Sequence, residues 1–190
     1  MKKSITLFSV AIFLSMAAIS FSSCDKLKEK LFKAFSTGGG NVNFTIPIVT
    51  STTAEGKYAT EKVYINVDSI IKAETGGVFS LNDVKIISME SAEIFVNNAD
   101  QDNNLGNFEV GAVIFNTFNT SKNDWNEPML LATNDLDDEY ADYHKMIITE
   151  KVNMKEHLRS NEIAYWYGAK ARRVTTKPLE CTLKVKLHIE

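Results

Sequence analysis

The chain has 190 residues, with 21 lysines and arginines against 24 aspartates and glutamates, 3 histidines and 2 cysteines. A formal charge of −3 lacks the basic excess that nucleic acid requires, so no nucleic-acid partner is expected. Two cysteines cannot build a disulfide scaffold, and 44% hydrophobic residues are ample for a cored domain.

Met1-Lys2-Lys3 is followed by an apolar run from Ile5 to Phe21, broken only by small hydroxyl residues, and then by Ser22-Ser23-Cys24. A basic head, an apolar middle and small residues before a cut site make an export signal. The 17 residues of the run fall a little short of the roughly 20 that span a bilayer comfortably. By itself the run fits an uncleaved anchor, a secretory signal cut near Ser22 or Ser23, or a cut before Cys24. The Ser-Ser-Cys ending resembles the signals of Bacteroidota-type lipoproteins. That resemblance implies cleavage before Cys24, acylation of Cys24, and a place in the cell envelope on the outer membrane, facing the periplasm or the surface. One acyl chain binds a bilayer only marginally, so the two or three chains implied for Cys24 are what make attachment last.

Residues 1–23 are therefore read as signal, with a signal helix over the apolar run, and 24–40 as lipidated Cys, short tether and linker. Within the tether, Leu27, Leu31 and Phe35 recur every four residues, with Lys26, Lys30 and Lys33 off that face. This fits a short amphipathic helix on anionic headgroups or a partly helical tether, since twelve or so residues make a marginal isolated helix. Ser36-Thr37-Gly38-Gly39-Gly40-Asn41 reads as a flexible linker by composition. Losing Lys2 and Lys3 leaves 19 basic against 24 acidic residues, a net charge of −5 from Cys24 onward.

Residues 41–190 are long enough to bury about 70% of their unfolded surface as one domain. Val42, Phe44, Ile46 and Ile48 alternate as a first strand, and residues 57–67 form a second. Asp68 is placed to cap a turn of helix that Gly76-Gly77 ends. Residues 84–96 read as a strand whose period slips near Ile87 and Ser88, as a bulge would make it. Strands follow at 108–118, 128–133, 143–149 and 162–175, with a short helix at 154–159 capped by Asn153. From Leu179 to Glu190 apolar and polar residues alternate without a break, with Cys181 on the apolar side as a small core residue. The fold class is all-β, an antiparallel β-sandwich or jelly roll of about eight strands with two short helices. The stretch from Leu81 to Asn98, the Asn104-Leu-Gly-Asn-Phe that follows, the Asn153-Met-Lys-Glu-His-Leu turn and the closing strand together resemble small Bacteroidota lipoproteins with an exported β-sandwich. That likeness implies no catalytic residues.

Two clusters carry candidate chemistry. In calcium-loop register, Asn98, Asp100 and Asp102 supply side-chain oxygens, Asn104 a backbone carbonyl and Glu109 a bidentate carboxylate, an oxygen cage suited to Ca²⁺. Against it, Asn103 stands where the turn glycine belongs, and the flanks read as strands. Tyr165-Trp166-Tyr167 places two tyrosines on one strand face and a tryptophan on the other. With Trp125 these aromatics are candidates to stack on sugar rings. Asp135, Asp137, Asp138, Glu139 and Asp142 form an acidic cluster without ligand spacing. Ser69-Ile-Ile-Lys72 matches the Ser-x-x-Lys of penicillin-binding enzymes, but the other elements of that site are missing. No catalytic residues and no cofactor are expected, Ca²⁺ apart. The functional expectation is a lipid-anchored, non-catalytic binding or structural module with a glycan or envelope-protein partner. The alternatives are a carbohydrate-binding surface protein and a calcium-stabilised adhesion-type module.

Overall fold

A computed structural model describes residues 32–190, apart from 54, 120–121, 126–128, 150–151 and 161. The predicted signal helix, Cys24 and nearly all of the tether lie outside the described residues. In chain order the elements are β1 (Phe35–Ile46), β2 (Glu55–Tyr64), α1 (Val67–Glu74), β3 (Ile87–Val96), β4 (Phe108–Asn119) and β5 (Asp124–Trp125). There follow β6 (Met129–Asp135), β7 (Tyr143–Lys145), β8 (Ile147–Ile148), β9 (Glu162–Ala171) and β10 (Leu179–Ile189). Short 3-10 turns sit at Leu81–Asp83, Leu105–Asn107 and His157–Arg159.

The strands form two antiparallel sheets. One runs β1-β10-β3-β7; the other runs β2-β9-β4-β6-β8, with β5 paired to the end of β4. The protein is an all-β sandwich. Among the described residues there are ten strands, more than the expected eight, because β5 is added and the strand foreseen at 143–149 breaks at Met146. That side chain is buried, and the chain crosses there from one sheet to the other. The clearest sequence alternation becomes the spine of the first sheet. Leu179, Cys181, Leu183, Val185, Leu187 and Ile189 are all buried, each worth roughly 1.5–3 kcal/mol where the side chain is large.

The Gly-rich stretch is not a linker. Residues 36–41 belong to β1, which pairs with β10 from Phe35–Ile189 to Ile46–Leu179. The register shifts between Gly38 and Gly40, so Gly39 is the extra residue of a bulge. Glycine is required there because the backbone lies against Val185 and Leu187, and Gly40 has a φ of +109°. The sandwich thus begins six residues before the boundary read from composition.

Three smaller differences have local causes. Asn66, not Asp68, caps α1 by accepting from the Ser69 N–H at 2.9 Å. Asp68 instead accepts from the Leu81 N–H at 2.8 Å and holds the following 3-10 turn. The helix expected at 154–159 reduces to the turn His157–Arg159, its approach shaped by Asn153, whose Oδ1 accepts from the Lys155 and Ile87 N–H groups. The slip in β3 is a bulge at Glu90, between Met89 and Ser91 as they face Leu187 and Lys186.

Candidate functional site

The five residues of the predicted calcium loop do not assemble as ligands. Asn98 Oδ1 accepts from the Glu180 N–H, and its amide donates to the Pro178 carbonyl. Asp100 Oδ2 meets Lys177 Nζ at 2.6 Å, while its Oδ1 accepts from the Asp102 N–H and the Asn103 amide. The Lys177 ammonium, then the Asn103 amide, holds the Asp100 carboxyl down to about 2. Asn104 Oδ1 accepts from the Gly106 N–H, and Glu109 pairs with Lys170 at 2.6 Å. Lys170 also keeps the Glu109 carboxyl below its ordinary range.

What organises this loop is a set of buried amides. Asn103, Asn104 and Asn107 are each at most 2% exposed. Asn104 donates to the carbonyls of Asp100 and Gln101, and Asn107 donates to those of Asp102 and Val174. Asn103 Oδ1 accepts from the Thr176 and Lys177 N–H groups. These amides use both their oxygen and their nitrogen, and of the predicted ligands Asp100 and Glu109 face lysine ammonium groups while Asn98 Oδ1 serves a backbone N–H, a setting unlike the all-oxygen cage of Ca²⁺. Among the described residues no group of three or more His, Cys, Asp or Glu is placed to hold a metal ion. The acidic loop that follows is tied down in the same region. Arg172 donates to the Leu136 carbonyl at 2.7 Å, and Arg173 lies 3.0 Å from Asp138.

The aromatic set divides. Tyr165 and Tyr167 are core residues at 1% exposure, which removes them as sugar platforms. Their rings pack against Phe115 and Phe44 at centroid distances of 5.5 and 5.8 Å. The Tyr165 hydroxyl donates to the Gly39 carbonyl at 3.2 Å, and its burial drives the phenol pKa upward. Trp166 and Trp125 lie on the outer face of the second sheet. Trp125 is already engaged, edge-on to Phe118 at 5.6 Å with the Lys62 ammonium 5.3 Å from its ring centre. Trp166 sits opposite Ile114, two residues from Gly168.

That face also carries a recess. A trough of about 370 Å³ is lined by Gly56, Val110, Ala112, Ile114, Gly168, Ala169 and Lys170. Its floor is low because Ala112 and Gly168 sit opposite each other at the β4–β9 pairing, where most strands present longer polar side chains to water. The signal lay in β4 itself, where Val110, Ala112 and Ile114 are apolar on the side facing away from Val113 and Phe115. The Lys170–Glu109 ion pair closes one end. A volume of this order suits a small, largely apolar ligand with one polar group.

The remaining candidates resolve locally. Lys72 Nζ lies 2.6 Å from Asp68 Oδ2, so its ammonium serves an i,i+4 ion pair rather than the Ser69 hydroxyl. His144 points inward from β7, its Nε2 buried without a hydrogen-bond partner, and desolvation lowers its pKa, opposed by Asp137. Cys181 is a buried free thiol whose pKa burial pushes up to about 12.

No family model matches the chain, and no curated protein matches it. Among solved structures, a chain from the structure of the empty head of turnip yellow mosaic virus is 11% identical, over 84% of this chain and 82% of that one. Its TM-score is 0.24, too low to support either a shared fold or a shared function.

Proposed function

We propose that the chain is a non-catalytic binding module of the cell envelope, carried on lipid at Cys24 of the outer membrane, with its ligand seat in the trough between β4 and β9. The observation that supports this is the trough itself, an apolar recess in a sheet face that otherwise meets water. Trp166 beside it favours a glycan as ligand, since a sugar ring has an apolar face for the indole and hydroxyls for the Lys170–Glu109 pair. The calcium-stabilised alternative has no comparable support.

Gly168 supplies the test. A Cβ there would meet nothing nearer than the Gly56 carbonyl oxygen at 3.8 Å, so Gly168→Ile fits the strand and fills the trough. A ligand from a glycan panel should change Trp166 fluorescence in the Trp125→Phe protein, and Gly168→Ile should abolish that change without lowering Tm. Binding unaffected by Gly168→Ile would move the seat elsewhere. Turnover lost on a single substitution would replace the binding reading with an enzyme.

A further inference from the structure

The two ends of the sandwich differ in charge, and the chain enters at one of them. β1 begins at Phe35 beside Ile189, and the Lys85 and Ile86 N–H groups donate to the Glu190 carbonyl at 2.7 and 2.9 Å. In the other sheet Tyr64 faces Glu162 and Phe118 faces Trp125 at the same end, which the Tyr165–Gly39 hydrogen bond fixes across the core. Here the described residues of 62–86 carry three basic and three acidic residues, those of 122–125 one of each and those of 152–162 two of each, with Glu190 one acidic residue more. At the opposite end, residues 97–109 carry three acidic residues and no basic one, and residues 134–142 five and none. The four basic residues and single acidic one of 170–180, with one of each in 47–57, leave that end at −5. This equals the whole net charge from Cys24 onward.

The entry end also exposes Tyr64 at 74%, Val78 at 55% and Ile86 at 36%. Lys62, beside Tyr64, holds its ammonium 5.3 Å from the Trp125 ring centre while pairing with Glu162 at 2.6 Å. Tyr and Trp with adjacent lysines are the side chains that settle at a bilayer interface, ring at headgroup depth and ammonium among phosphates. The acidic end exposes Ile48, Tyr140 and Val174, but an anionic bilayer repels its carboxylates. With the glycine stretch inside β1, only residues 25–34 separate Cys24 from the sandwich, a reach of at most about 35 Å.

We infer that the entry end, through Tyr64, Val78, Ile86 and Trp125, rests on the headgroups of an anionic bilayer, with the acidic loops directed away from it. The inference rests on the proposed anchor at Cys24. It adds a second point of membrane contact on the domain itself, and this contact fixes which way the module faces.

The chain's two tryptophans measure this directly. Trp125 lies at the entry end, and Trp166 about four residues, or roughly 13 Å, further along the sheet. The chain from Cys24 onward is coupled through that thiol to a maleimide lipid in phosphatidylethanolamine–phosphatidylglycerol vesicles; Cys181 is buried and does not compete. Brominated lipids should quench Trp125 in the Trp166→Phe protein and spare Trp166 in the Trp125→Phe protein. Tyr64→Ser with Ile86→Ser should remove the Trp125 quenching. On the unsubstituted chain, vesicle attachment should slow amide exchange over 76–86 and leave 97–107 and 135–142 unchanged. Quenching of Trp166 equal to that of Trp125, or slowed exchange at the acidic end or at neither end, overturns the inference. Because the tether is chemical, failure of cells to acylate Cys24 would sink the anchoring reading alone.

Discussion

Gly38 and Gly39 are neighbours in a stretch whose composition reads as linker, yet they are in opposite situations. A Cβ on Gly39 would stand 2.8 Å from Val185 Cγ1 and 3.0 Å from Leu187 Cγ, whereas nothing lies within 4 Å of one on Gly38. Val185 and Leu187 are themselves buried on β10 and cannot retreat without disturbing the core. Overpacking of this kind costs about 1–3 kcal/mol. In a domain of this size 1 kcal/mol moves Tm by about 2–4 °C, so Gly39→Ala should lower Tm by about 3–10 °C. Gly38→Ala should leave Tm unchanged or raise it slightly, by removing about 0.5 kcal/mol of unfolded-state freedom. Thermal melts of the two single variants, followed by circular dichroism, make the comparison. Equal and negligible shifts would mean that the stretch is a linker after all and that Gly39 does not pack against β10.

The loop at 97–107 should depend on its amides and not on calcium. Asn107→Ala leaves the Asp102 and Val174 carbonyls without their donor and should cost about 1–3 kcal/mol in urea unfolding. Adding Ca²⁺ should not raise Tm, and a rise that Asp100→Ala removed would restore the metal reading. His144 predicts a window of acid sensitivity. Its folded pKa lies below the usual 6.5, so the unfolded state binds the proton more readily. Stability from this group is therefore complete above about pH 6.5 and declines as pH falls through that value, before the carboxylates titrate. His144→Phe should flatten the stability profile between pH 6.5 and 5, and an unchanged slope would assign the effect elsewhere. Tyr165→Phe removes a buried donor to the Gly39 carbonyl and should cost about 1–2 kcal/mol, measured the same way.

The sandwich was legible wherever one strand face is buried and the other wet, as in β10, because that contrast writes a period of two into the residues. It was illegible at residues 36–41, where glycine propensity argues against a strand. At Gly39 the space that a side chain would have filled is taken by Val185 and Leu187 from the neighbouring strand. In Tyr165-Trp166-Tyr167 the alternation itself was plain, but alternation does not say which face is inside. The core took the tyrosines, with Phe115 and Phe44 as partners. The loop at 98–109 admits two readings for a chemical reason, since Asp and Asn oxygens suit a cation and a hydrogen-bonded turn equally well. Only the Asn nitrogens, aimed at the carbonyls of Asp100, Gln101, Asp102 and Val174, distinguish the two. The outward apolar run of Val110, Ala112 and Ile114 is written in β4, but the low floor of the trough arises only where pairing sets Ala112 against Gly168.

Placing this module in the envelope depends on how its N-terminus is processed. Intact-mass spectrometry of the protein extracted from the membranes of cells that express the full chain tests that step directly. The expected product is a chain that starts at Cys24 and carries the added mass of two or three acyl groups. A chain starting at any other residue, or at Cys24 with a free thiol and amine, would contradict it.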